Sequence, residues 1–153
     1  MDSRVRLVPA QHKHIGRIAR LMRDIDAEEC RAMGREPKHA LRHALASSAK
    51  AWTALVDGEP EAMFGVVVQS VLTSEGIPWF LGTDEVYRHG RELIMWGPGM
   101  VARLCDSTVT LRNLVSVHNT KAIRLLRRWG FQIGLEVIKI AGVEFLPFEK
   151  VPS

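Results

Sequence analysis

Few side chains in this sequence are both chemically capable and suitably spaced. Asn119 stands before an apolar-periodic run, where its amide can satisfy the free N–H groups of a first helical turn. His39 and His43 are four apart on a predicted helix, a spacing that can hold zinc. No Glu follows His39 and no third ligand is evident, so exposed histidines are the simpler reading. His12 and His14 lie two apart and cannot share a helix face. Ser47, Ser48 and Ser116 lack the context of a nucleophile elbow. Asp84 and Glu85 could serve as paired bases, but two acids opening a helix are better explained as complements to its dipole. Cys30 and Cys105 have no Cys or His at metal spacing, and Cys105 reads as a small buried residue. Tyr87 is the single tyrosine.

Positioning these groups requires an ordered series of elements. Arg4 to Val8 alternates as a strand that Pro9 ends. Ile15, Ile18, Ala19, Met22 and Ile25 form an apolar stripe, which predicts one helix from Gln11 to about Ile25. A second helix is expected over Lys38 to Ser48. Strands follow at 51–56 and 62–69, joined through Asp57-Gly58-Glu59-Pro60 as a hairpin, and another lies at 77–81. Thr83 caps a helix from Asp84 to about Trp96, where Gly97-Pro98-Gly99 interrupts it. A strand at 109–117, a helix from Asn119 and strands near 131–140 and 143–148 complete the chain. Ala122, Leu125, Leu126 and Trp129 line the inner face of that helix, and Gly130 ends it.

Composition sets further bounds. The 153 residues are 46% hydrophobic and 25% charged, as in a globular chain of one domain spanning 1–153. No apolar run approaches the roughly 20 residues needed to span a bilayer, and there is no secretory signal at the N-terminus. Two cysteines without a framework point to a reduced, intracellular compartment. The net charge of +4 does not by itself imply nucleic acid.

The order strand, two helices, three strands, helix, strand, helix, two strands resembles the GNAT superfamily of N-acyltransferases. The pattern Asn-x-x-Ala-Ile-x-Leu-x-x-x-x-Gly-Phe, from Asn119 through Phe131, matches that family. The resemblance implies an α/β fold with a mixed central sheet of six to seven strands flanked by about four helices. It also implies that the strands at 77–81 and 109–117 run parallel and splay apart, with Asn119 at their fork. Three segments, Glu59–Gly65, Gly76–Glu85 and Val115–Phe131, are similar to a phage-encoded branch that includes a small internal virion protein of short-tailed phages. That similarity implies a role in virion assembly or in the particle, with other virion proteins as partners. It places the protein in the host cytoplasm during assembly.

The same resemblance allows a test of the chemistry. GNAT enzymes hold acetyl-CoA through a turn patterned Arg/Gln-x-x-Gly-x-Gly/Ala, whose amides cradle the pyrophosphate. The matching junction here reads Leu81-Gly82-Thr83-Asp84-Glu85. Two carboxylates would face two phosphate charges, at a cost on the order of 3–4 kcal/mol for each like-charge pair. Arg88-His89-Gly90-Arg91 is a poor substitute, because its glycine is expected inside the helix. The tyrosine that the family often places seven residues after the Asn is Leu126 here. The remaining positions for a cofactor contact are Asn119, Gly82, Thr83 and Arg124, and Tyr87 could serve only by another geometry. No cofactor is therefore expected, with acetyl-CoA the implied one if the chain is an enzyme.

Basic residues offer a second kind of site. Lys121, Arg124, Arg127 and Arg128 give one helix four cations and no acid, a candidate docking face for an acidic partner. Nucleic acid is less favoured, since no aromatics interleave there to stack bases. Lys13, Arg17, Arg20 and Arg23 decorate the first predicted helix as a solvated face. Trp79, Trp96 and Trp129 exceed what so small a core needs, and one at the surface would mark an interface or an oligomer contact. Two functions remain: a phage assembly protein that kept the fold and lost the cofactor, or a CoA-dependent N-acetyltransferase with a rearranged loop.

Overall fold

The computed structural model describes residues 4–70, 72, 74–104 and 109–152. Strand β1 (Val5–Pro9) leads through a single 3-10 turn into α1 (Ile15–Leu21), α2 (Asp24–Ala32) and α3 (Pro37–Ser47). Strands β2 (Ser48–Val56), β3 (Glu59–Ser70) and β4 (Glu75–Gly82) form an antiparallel meander with β1 at its outer edge. Asp57 and Gly58, both at positive φ, make the β2–β3 turn, as the Asp-Gly signal predicts. After α4 (Asp84–Tyr87) and α5 (Gly90–Leu104), β5 (Thr110–Ser116) joins parallel to β4. Helix α6 (Thr120–Arg128) leads to β6 (Gln132–Ile133), β7 (Ile138–Ile140) and β8 (Val143–Lys150). β8 pairs antiparallel with β5, β6 and β7.

The sheet is covered on both faces. Helices α1–α3 bury Ile15, Ile18, Leu41 and Cys30 against Met63. On the other face Val86, Leu93, Met100, Ile123 and Leu125 pack against Phe64, Val115 and Phe148. Each such apolar side chain contributes about 1.5–3 kcal/mol of burial. No helix among the described residues is long and apolar enough to cross a membrane.

The eight strands of the sheet and the six α-helices among the described residues roughly fit the expected six to seven and about four. Three features depart from the sequence reading. The expected single helix over 11–25 breaks at Met22 and Arg23, which are both extended. The cause is a tertiary bond: the Arg23 amide donates to the Gly82 carbonyl at 3.0 Å, and Met22 bridges to Thr83. The helix expected from Asp84 breaks at Arg88–His89 and then runs through Gly97-Pro98-Gly99 without interruption. A Cβ on Gly97 would lie 1.8 Å from the Trp129 indole nitrogen, so this glycine serves close packing rather than a break. The strand expected over 131–140 divides into β6 and β7, both laid on β8.

Helix α6 ends as predicted. Gly130 takes φ +91°, its amide bonds the Arg127 carbonyl, and the Phe131 amide bonds that of Leu126. The buried face includes Ile123 and Leu125, with Ala122, Leu126 and Trp129 half-buried beside them. Lys121, Arg124, Arg127 and Arg128 are all exposed.

Candidate functional site at the fork between β4 and β5

β4 and β5 share only two register pairs, Glu75 with Thr110 and Gly76 with Leu111. Beyond them the strands diverge, and the Asn113 side chain spans the gap to the Pro78 carbonyl at 2.7 Å. The divergence opens a cleft of about 390 Å³, floored by β4 and walled by Phe80, Tyr87 and Trp129. Asn119 and Glu29 also line it, which puts Asn119 at the fork.

Three buried residues, Arg23, Asp26 and Asn119, and the half-buried Glu29 close the wide end. Asp26 Oδ2 accepts the Gly82 amide at 3.0 Å, and its Oδ1 accepts Arg23 Nη1 at 3.0 Å. Glu29 Oε2 accepts the Ser116 amide at 2.7 Å. Asn119 Oδ1 accepts Arg23 Nη2 at 3.2 Å, and its Nδ2 donates to Glu29 at 3.2 Å and Asp26 at 3.4 Å. The Arg23 guanidinium lies 4.2 Å from the centre of the Tyr87 ring and 3.9 Å from Asp84. Local sequence explains the convergence: Asp26 and Glu29 are one turn apart on α2, so both project towards the strand ends.

Burial dominates the electrostatics. It lifts the Asp26 carboxyl to about 6, against the opposing pull of Arg23 and the Gly82 amide. Burial lifts Glu29 to about 7, opposed by the Ser116 amide and reinforced by Asp26. Tyr87 is pushed above its ordinary value by burial and then by Asp26. Cys30 is raised to about 12 by burial and by the same two carboxylates, which makes it an inert thiol at neutral pH. Burial, with nearby Lys13, lowers His14, whose Nδ1 lies 2.8 Å from Thr53 Oγ1.

Asn119 stands at the N-cap of α6, where its backbone carbonyl accepts the Ile123 amide, but its side chain does not cap. Instead the amide group is committed on both atoms to Arg23, Asp26 and Glu29. Gly82 and Thr83 are similarly engaged, since the Gly82 amide goes to Asp26 and the Thr83 amide to the Glu61 carbonyl at 2.9 Å. The one-turn α4 opens with Asp84 and Glu85, and Glu85 binds Arg88 at 2.6 Å. Gly90 proves to be the first residue of α5 rather than internal to a helix, although Glu92 occupies that first turn. At this junction, then, two amides are already bonded, three carboxylates stand at the helix starts, and Arg88 is paired with Glu85.

The other candidates fall elsewhere. Arg124 is exposed with Lys121, Arg127 and Arg128 and is not among the residues lining the cleft. Tyr87 does line the cleft beside Asn119. His39 and His43 are exposed, and no group of potential metal ligands occurs among the described residues. Ser48 accepts the Trp79 indole N–H and Ser116 Oγ accepts the His118 amide. Cys105 lies outside the described residues. Trp79, Trp96 and Trp129 are all half-buried and packed on the core. Arg23, read from sequence as solvated, is buried, and Arg17 pairs with Glu61 at 3.1 Å. Arg23, Asp26 and Glu29 escaped the sequence reading. The available signal was Asp26 set one turn before Cys30, an acid on the buried side of α2.

No family model matches the chain, and no curated protein matches it significantly. Solved structures do. An acetyltransferase from Acinetobacter baylyi, itself described as putative, aligns with a TM-score of 0.67 at 15% identity, over 96% of this chain and 92% of that one. The chain has the GNAT fold. A ribosomal L7/L12 α-N-protein acetyltransferase solved with coenzyme A gives a TM-score of 0.65 at 10% identity, over 98% and 95% of the two chains. An aminoglycoside acetyltransferase solved with coenzyme A gives 0.66 at 16% identity, over 96% and 94%. What this chain shares with these structures is architecture.

Proposed function

We propose that this chain is a GNAT-fold binding protein that has given up its acyl-CoA site, and that it serves in the assembly or particle of a short-tailed phage. The carrying observation is Asn119, whose amide is consumed by Arg23, Asp26 and Glu29 and leaves nothing to offer a pantetheine carbonyl. The phage role rests on the resemblance of 59–65, 76–85 and 115–131 to a small internal virion protein. Its partners are then other virion proteins, met in the host cytoplasm, with the basic face of α6 towards an acidic surface. Calorimetric titration of acetyl-CoA into the protein tests the reading. No heat of binding is expected below millimolar cofactor, and micromolar affinity would overturn the loss of the site.

A second reading, CoA-dependent N-acetyltransfer, is favoured by one observation. The cleft stays open at about 390 Å³, and Glu29, whose carboxyl burial lifts to about 7, lines it. A carboxylate so poised can accept the proton of an alkylammonium. The solved GNAT neighbours that hold coenzyme A support this alternative. Turnover of acetyl-CoA that is lost in Glu29→Gln while the fold persists would establish it.

A further inference from the structure

The outer surface of the α5–α6 layer carries two stripes of opposite character. On α5, Ile94 and Met95 are 40% and 74% exposed, and Pro98 and Ala102 follow at helical spacing, also exposed. Arg91 begins this stripe. On α6, Lys121, Arg124 and Arg128 recur at i, i+3 and i+7 with Arg127 beside them, and none has an acidic partner among the described residues. The two helices are locked together: the Trp129 indole donates to the Leu93 carbonyl at 2.9 Å and lies against Gly97. That contact makes the end of α6 and the first half of α5 neighbours in one layer.

We propose that this surface docks an acidic amphipathic helix of a partner protein. The inference rests on the binding-protein reading and supplies the chemistry of the partner. From Ile94 to Ala102 the apolar strip is about 12 Å long, or roughly two helical turns. Such a strip matches the i, i+4, i+7 anchors of a helix laid on a surface. The neighbouring cations require carboxylates along one flank of that helix. A nucleic-acid backbone would meet the cations and leave the apolar strip without a role.

Fluorescence anisotropy with synthetic probes tests this. One probe is a labelled peptide with Leu at helical spacing and Glu elsewhere, and the other is polyglutamate of equal length. The Leu/Glu peptide is expected to bind at least about tenfold more tightly, and Met95→Glu should erase that difference. Arg124→Glu, Arg127→Glu and Arg128→Glu combined should abolish binding of both probes, with circular dichroism unchanged. Equal binding of the two peptides, or indifference to Met95→Glu, overturns the inference but leaves a purely ionic docking face intact. Tighter capture of duplex DNA or of phosphatidylserine vesicles than of the Leu/Glu peptide also overturns it. So does sedimentation showing that Met95→Glu dissolves a self-associated form, which would assign the strip to a second copy. Failure of the binding-protein reading itself appears separately, as micromolar acetyl-CoA heat.

Discussion

Asp26 and Glu29 lie one turn apart on α2 yet hold different strands. Asp26 takes the amide of Gly82 at the end of β4, and Glu29 takes that of Ser116 at the end of β5. A single helix therefore spans the mouth of the fork, with Asn119 joining both carboxylates and Arg23 neutralising part of their charge.

Breaking that group on one side should be severe. Asp26→Ala leaves the Arg23 guanidinium and the buried Gly82 amide without their acceptor and is expected to cost about 1–3 kcal/mol in urea unfolding. Replacing Arg23 and Asp26 together with apolar residues should cost distinctly less than the sum of the single changes, because no charge is left uncompensated. Additive losses would show that the two do not act as a pair.

Acid should strengthen this fold over a window where most proteins are indifferent. Asp26 at about 6 and Glu29 at about 7 are raised above unfolded values near 4, so the folded chain takes up protons first on acidification. Stability should rise as pH falls from about 8 through 6 and level off near about 4, by up to about 3 kcal/mol for each carboxyl. Thermal melts across that range test it, and Glu29→Gln should flatten the upper part of the rise. A midpoint that falls steadily with acid contradicts the prediction.

Gly97→Ala should be poorly tolerated, since its Cβ would meet the Trp129 indole at 1.8 Å. An expected loss of about 1–3 kcal/mol reflects overpacking. Trp129→Leu in the same chain should recover part of that loss, while Trp129→Leu alone is destabilising. Near-ultraviolet dichroism should report the displaced indole.

Reversing Arg124, Arg127 and Arg128 to Glu should leave the melting temperature nearly unchanged. All three are exposed and unpaired among the described residues, and surface changes of this kind usually fall within about 0.5 kcal/mol each. A large drop would mean that the face carries intramolecular structure rather than a partner.

The segment from Val115 to Phe131 was legible because its signals are local. Gly130 after the helix and the apolar period within it both act within a few residues. The parallel fork was expected only as what the family resemblance implied. The polar group was not legible, because Arg23, Asp26 and Glu29 meet Asn119 across more than 85 residues of chain. The helix break at Met22–Arg23 has the same origin: a backbone bond to Gly82 outweighed an unbroken apolar stripe. Gly97 misled for the opposite reason, since a residue that reads as a helix breaker was selected by an indole lying against it.

A sheet normally exposes unpaired backbone only along its two outer margins, where a stray chain can add itself. The splay of β4 from β5 gives this protein two further free margins, turned towards each other in the middle of the sheet. Their enclosure matters for solubility, because a chain seeking to extend the ladder must enter a cleft already walled by aromatic side chains and closed at its wide end. Pro78 on one margin lacks an N–H, and Asn113 on the other covers its carbonyl. The fork is thus guarded against amyloid-like addition by the same side chains that shape it, whatever now binds there.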